Sequence, residues 1–195
     1  MFRRLLLALT FGLALLAPAQ STSTFAADAY ERLEIRANFR AFDESRYPEA
    51  RRRVLMEARD FPRLGARFEV IDPYIGKRYN CIAHSLGIHG RWVNPETGPS
   101  TAPLSKMDRM YTAKGYRRVS GLDFRLATGL QKVVVYAKVS GGRITSVTHA
   151  AIQEADGSWS SKLGQLPLIR HATPESLNGP SYGVPVAVYV RKRVV

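Results

Sequence analysis

The 195-residue sequence contains a single cysteine, Cys81. One cysteine permits no internal disulfide, and without a second the paired-cysteine zinc motifs are excluded. Acidic residues are scarce as well: 16 Asp and Glu stand against 29 Lys and Arg, a formal net charge of +13. The long-range field of such a chain favours anionic partners. Beyond residue 16 no stretch is apolar enough to cross a bilayer, which needs about 20 residues. There is no internal repeat and no recognisable nucleic-acid-binding motif, so nucleic acid is not an expected partner.

The N-terminus carries the one long apolar run. Arg3 and Arg4 precede it at residues 5–16, and Ala17-Pro18-Ala19 supplies the small residues that a signal peptidase reads. A signal peptide over 1–19 is predicted, with a second possible cut near Ala26 or Ala27. The mature chain is then exported, periplasmic or secreted, with no transmembrane segment. Its bases cluster at Arg51-Arg52-Arg53, at 114–118 and at Arg191-Lys192-Arg193. Outside the cytoplasm this charge suits an anionic envelope polymer or lipid headgroups; a solvated basic face accounts for the same residues.

Residues 20–27, rich in Ser, Thr and Ala, read as a lead-in, and helices are predicted over 27–42 and 48–61. Pro48 suits a first helical turn, while Pro62 and Gly65 end the segment. An alternating strand at 67–71, a short helix at 81–86, a Pro/Gly/Ser-rich loop at 94–103 and a helix at 104–114 follow. Further on, β-branched and alternating runs at 131–139, 144–153, 158–163 and 185–191 read as strands. Gly141-Gly142 and Asp156-Gly157 mark turns between them. Helices first and then a mainly antiparallel sheet make an α+β pattern. The domains are the signal at 1–19, an N-terminal helical segment at 20–62, and one catalytic-type domain at 63–195.

Two stretches carry chemistry. "YNCIAHSLG" puts Cys81 at a helix start, where unpaired N–H groups and the helix dipole favour negative charge. A free thiol of pKa about 8.5 is only a few per cent thiolate at neutral pH, and such a position lowers it. The Cys81 N–H suits a developing oxyanion, and Asn80 offers either a further donor or an N-cap. "SVTHAAIQEADGSWSSKLG" sets His149 among small residues on a strand, as general base toward the thiol and general acid toward a leaving group. The other reading of a lone cysteine is a buried small hydrophobe.

A third group usually orients such an imidazole. Strand parity narrows the choice: a three-residue connection at 155–157 puts Ser161 on the face of His149, whereas a two-residue turn puts Ser160 and Lys162 there. Ser161 is preferred, with Gln165 and Asn80 as alternatives. His84, one turn after Cys81, lines the cleft; Cys81, His84 and His89 match no standard zinc spacing. Lys162 is an anion contact or a surface lysine. His171 reads as a loop residue with a turn or substrate-contact role, and Trp92, Trp159 and Tyr182 as cleft or packing aromatics.

Together, "YNCIAHSLG", "THAAIQEADGSWSSKLGQ" and "IRHATPESLNGPSYG" resemble an uncharacterised bacterial family whose pattern runs Tyr-Asn-Cys-Ile-Ala, Thr-His-Ala-Ala, Trp-x-Ser-Lys-Leu-Gly. That family in turn resembles the papain-like superfamily, especially NlpC-type cell-wall cysteine peptidases and amidases. The resemblance implies a papain-like (NlpC-type) α+β fold. It also implies a Cys81–His149–Ser161 site with no metal or cofactor, which cleaves an amide bond in a peptide or cell-wall substrate through a thioester. The alternatives are an inactive relative that binds anionic envelope polymers and a secreted effector using the same site.

Overall fold

The computed structural model describes residues 41–193. The predicted signal peptide and all but the end of the helix predicted over 27–42 lie outside the described residues. Seven strands are present: β1 Phe68–Asp72, β2 Arg117–Val119, β3 Leu130–Ser140, β4 Arg143–Gln153, β5 Trp159–Lys162, β6 Leu168–His171 and β7 Val184–Lys192. They form one antiparallel sheet in the order β1-β6-β5-β4-β3-β7-β2. Three short α-helices, α1 Pro48–Met56, α2 Cys81–Ser85 and α3 Ser105–Thr112, and a 3-10 turn at Pro174–Leu177 complete the described elements.

This corrects the expected fold. The described residues are β-rich and only 17% helical, not those of an α+β papain-like (NlpC-type) molecule with N-terminal helices. Two causes are visible. The helices stop early: α1 ends at Met56 rather than at 61, and α2 is one turn closed by Gly87 at φ 71°. Meanwhile two stretches to which the sequence reading gives no element join the sheet, β2 as an edge strand beside β7 and β6 between β1 and β5.

Alternation along the strands splits the core between the two sheet faces. On one face Val134, Tyr136, Ala151, Trp159, Ile169 and Val188 pack with Ala50 and Val54 of α1 and with Leu177. On the other, Val133, Val135, Ala150, Ile152 and Tyr189 pack with Cys81 and Ile82 of α2 and with Met107 and Tyr111 of α3. Each of these buried Val, Ile and aromatic side chains contributes roughly 1.5–3 kcal/mol relative to exposure. The segment before β1 is tied to the same core: the Arg51 guanidinium donates to the carbonyls of Phe68 and Ala66.

Two irregularities prepare the site. The β3–β4 hairpin turns through Gly141 and Gly142, both at positive φ, as a two-residue primed turn demands. Along it, Tyr136 faces His149 and Ala137 faces Val147, so Thr148 has no partner across the ladder and β4 bulges there. The β4 strand then meets β5 only at Ile152 and Gln153. The rest of that β4 edge is left for other groups, and the Val147 N–H is taken by Thr97 Oγ1 at 2.8 Å.

Candidate functional site

Asn80 begins the site as a cap. Its Oδ1 accepts from the N–H of Ala83 (3.1 Å) and of Val93 (3.3 Å), while its Nδ2 donates to the Val93 carbonyl (2.7 Å). Both ends of the amide are thus committed to starting α2 and holding the following loop against it. Cys81 follows as the first helical residue, only 4% exposed. The N–H of Ala150, the residue next to His149 on β4, lies on the side of its sulfur and favours the thiolate. Burial pushes the thiol up to about 11, against the smaller opposing effects of that N–H, those of Ile82 and Cys81, and the charge of Lys162. A five-residue helix has too little dipole to offset enclosure. The expected lowering of the thiol pKa is therefore overturned: at neutral pH Cys81 rests as a thiol.

His149 is enclosed, with its ring stacked on Tyr182 at 3.7 Å and 10° and set edge-on to Tyr136 at 5.2 Å. A chain of hydrogen bonds fixes its tautomer. His171 Nδ1 lies 2.9 Å from the Thr173 carbonyl, which can only accept, so the proton sits on Nδ1 and His171 Nε2 is bare. Ser161 Oγ, 3.3 Å from that bare nitrogen, donates to it. Ser161 then accepts from His149 Nε2 at 3.1 Å. This leaves His149 Nδ1 as an unprotonated lone pair, buried and without a hydrogen-bond partner. Burial, and then the neighbouring His171 and His84, hold the His149 pKa well below its usual 6.5. A neutral imidazole with a bare nitrogen can act as a base.

The register behind this is the one with the three-residue connection. Gln153 pairs with Trp159, the Glu154 N–H donates to the Ser158 carbonyl at 2.8 Å, and Ser161 shares the face of His149. Ser160 faces the other side, 2.8 Å from His84 Nε2, and donates to Glu154 Oε1. His171 ends β6 rather than lying in a loop, and it extends the His149–Ser161 chain. Its position one strand beyond Ser161 depends on β6, which the sequence reading does not identify. Lys162 is buried, not a surface lysine: its ammonium donates to the carbonyls of Gly164 (3.2 Å) and Leu166 and lies over the rings of Tyr74 and Tyr79. Burial brings it down to about 8. Gln165 lies in the β5–β6 turn, its carbonyl taken by the Gly76 N–H. Trp159 is core, whereas Trp92 is exposed with its indole N–H on Asn94.

Among the described residues no group of three or more His, Cys, Asp or Glu side chains is placed to hold a metal ion. Nor is any helix among them long and apolar enough to cross a membrane.

No curated protein and no solved structure matches the chain. A family profile, described as a domain of unknown function (DUF7689), matches residues 71–190, from the end of β1 into β7. The match takes in Cys81, His149, Ser161 and His171 and covers more than half of the sequence. The chain therefore belongs to the DUF7689 family.

Proposed function

We propose that the protein is an exported thiol-dependent hydrolase that cleaves an amide bond in a peptide or cell-wall substrate. The observation that carries this reading is the Cys81 sulfur beside the Ala150 N–H, one residue from a neutral His149 whose bare Nδ1 is buried without a hydrogen-bond partner. In the proposed reaction His149 Nδ1 takes the thiol proton as the sulfur attacks the substrate carbonyl. The amide C–N bond then breaks as the imidazolium returns that proton to the departing amine, leaving a thioester on Cys81. The N–H groups of Cys81 and Ile82, near the sulfur, supply the donors for the oxyanion. Ser161 and His171 position the base. Export rests on the signal-like pattern at 1–19, and the peptide or cell-wall substrate on the resemblance to NlpC-type enzymes.

Intact-mass measurement after exposure to p-nitrophenyl acetate under reducing conditions tests it. One acetyl adduct on Cys81, lost in Cys81→Ser and in His149→Gln, is expected. A protein that never acquires the adduct is not this enzyme.

A second reading, binding of an anionic envelope polymer without catalysis, draws on the pairing of β2 with β7. That pairing joins two of the basic runs at one sheet edge, with Arg117 opposite Val190 and Arg191 reaching the Lys114 carbonyl at 3.1 Å. Heparin affinity that survives Cys81→Ser and falls in an Arg117→Ser, Arg118→Ser variant, with no acetyl adduct on the parent protein, would favour it.

A further inference from the structure

We propose that His84, oriented by Ser160 and Glu154, is a second catalytic base, the one that activates water to hydrolyse the Cys81 thioester. The proposal rests on the hydrolase reading above. It starts from the twin serines of β5. Ser161 holds His149 on one face of the strand, and Ser160 holds His84 on the other, so two hydrogen-bonded chains run back to back through adjacent residues.

The second chain also fixes a tautomer. The Ser160 hydroxyl donates to the Glu154 carboxylate, which can only accept, so the serine oxygen accepts from His84 Nε2–H at 2.8 Å. His84 Nδ1 is then bare, and it is buried without a partner, as His149 Nδ1 is. The difference is at the far end: one chain finishes on a neutral carbonyl, the other on a carboxylate, which stabilises the imidazolium formed when His84 takes a proton.

Position supports a division of labour. His84 lies three residues after Cys81 on the same helix face, and helical side chains lean toward the N-terminus, over the turn that Cys81 begins. His149 is enclosed, whereas the His84 ring is half-buried and in contact with the exposed His89 at 5.7 Å. Solvent borders this side of the site through the exposed His89, although His84 Nδ1 itself is covered, so the water of the second half-reaction must enter past that ring. There, water attacks the thioester carbonyl while His84 Nδ1 takes its proton. The C–S bond breaks, and the proton passes to the departing sulfur, restoring the thiol and releasing the acid. Charge on His84 and His149 is mutually unfavourable, so protonating one keeps the other a base.

Pre-steady-state and steady-state hydrolysis of p-nitrophenyl acetate separate the two roles. In His84→Gln the burst and the acetyl adduct on Cys81 persist, and steady-state turnover falls roughly 10²-fold, within the range of a general base. Hydroxylamine, which needs no base, releases the trapped acetyl group as fast as from the parent protein. Should His84→Gln not fold, Glu154→Gln, which keeps the serine's acceptor but not the charge, shows the same split to a smaller degree. Turnover equal to the parent's overturns the proposal, as does a burst that falls together with turnover. Absence of any Cys81-dependent burst in the parent protein removes the hydrolase reading and this inference with it.

Discussion

Asn80 and Ser161 are small polar residues with opposite consequences when removed. Asn80 satisfies the start of α2 and both backbone groups of Val93 with one amide. Asn80→Ala is expected to cost about 1 kcal/mol for the cap, plus roughly 1–3 kcal/mol for buried groups left unpaired, read as a lower urea midpoint. Among the described residues the Ser161 hydroxyl hydrogen-bonds to the rings of His149 and His171. Ser161→Ala frees the His149 imidazole to choose either tautomer, while the Thr173 carbonyl still fixes that of His171. Turnover on an activated ester is expected to fall roughly tenfold to a hundredfold with KM nearly unchanged, since the loss is one of orientation rather than binding. An unchanged kcat would remove Ser161 from the site. The roles of the two residues were only partly readable in advance: asparagine before a helix is a familiar cap, but nothing local marks the loop carbonyl it also reaches.

Elements whose cause is local were the legible ones. The β3–β4 turn is written in Gly141-Gly142; Asp156-Gly157 marks the β4–β5 turn but leaves two registers open, and only the structure, with Gly157 at φ 86° in the third position of a three-residue loop, selects between them. The strand β6 was not legible, because Pro167 precedes it and Arg170 lies within it. That arginine is tolerated at 6% exposure only because Glu69 and Asp156, distant in sequence, neutralise it. The edge strand β2 reads Arg-Arg-Val and looks like loop for the same reason: its pairing with β7 is a tertiary fact. Without β2 and β6 the helices weigh too heavily, and this is how the α+β expectation arose. Backbone approach sets the cost of changing an element's ends. At Gly183, beside Tyr182, a Cβ would meet the Ala137 carbonyl at 2.1 Å with φ at +76°, whereas at Gly87 it would meet nothing within 4 Å. Gly87→Ala is expected to cost about 1 kcal/mol and Gly183→Ala clearly more, with thermal midpoints falling by roughly 2–4 °C per kcal/mol. Equal shifts for the two variants would contradict the packing of β7 against β3.

For the molecule as a whole, burying three imidazoles in neutral form has a pH signature. Burial lowers His84 and His171 from 6.5 to about 4 and holds His149 well below 6.5. Below pH 6.5 the unfolded chain binds protons that the folded one refuses, so stability is full above 6.5 and declines as pH falls toward 4. For His84 and His171 this makes a contribution of roughly 3 kcal/mol each. The Cys81 thiol, raised from 9.0 to about 11, acts at the other end: its contribution is lost as pH rises from about 9 toward 11. Urea midpoints should therefore level off between about pH 6.5 and 8, below the range in which buried Lys162 and Cys81 change protonation, with an acid slope that is shallower in His171→Gln. A midpoint flat down to pH 4 would show that the imidazoles are not held neutral in the core.

The pairing of Cys81 with His149 is tested most directly by the alkylation rate of Cys81 with iodoacetamide against pH, in the parent protein and in His149→Gln. A neutral thiol served by a neighbouring base predicts a measurable rate at pH 7 that His149→Gln lowers at least tenfold. In both proteins the rate should climb through the alkaline range toward about 11 as the buried thiol ionises. Superimposable profiles for the two proteins would contradict the pairing and leave Cys81 as a buried packing residue at the edge of β4.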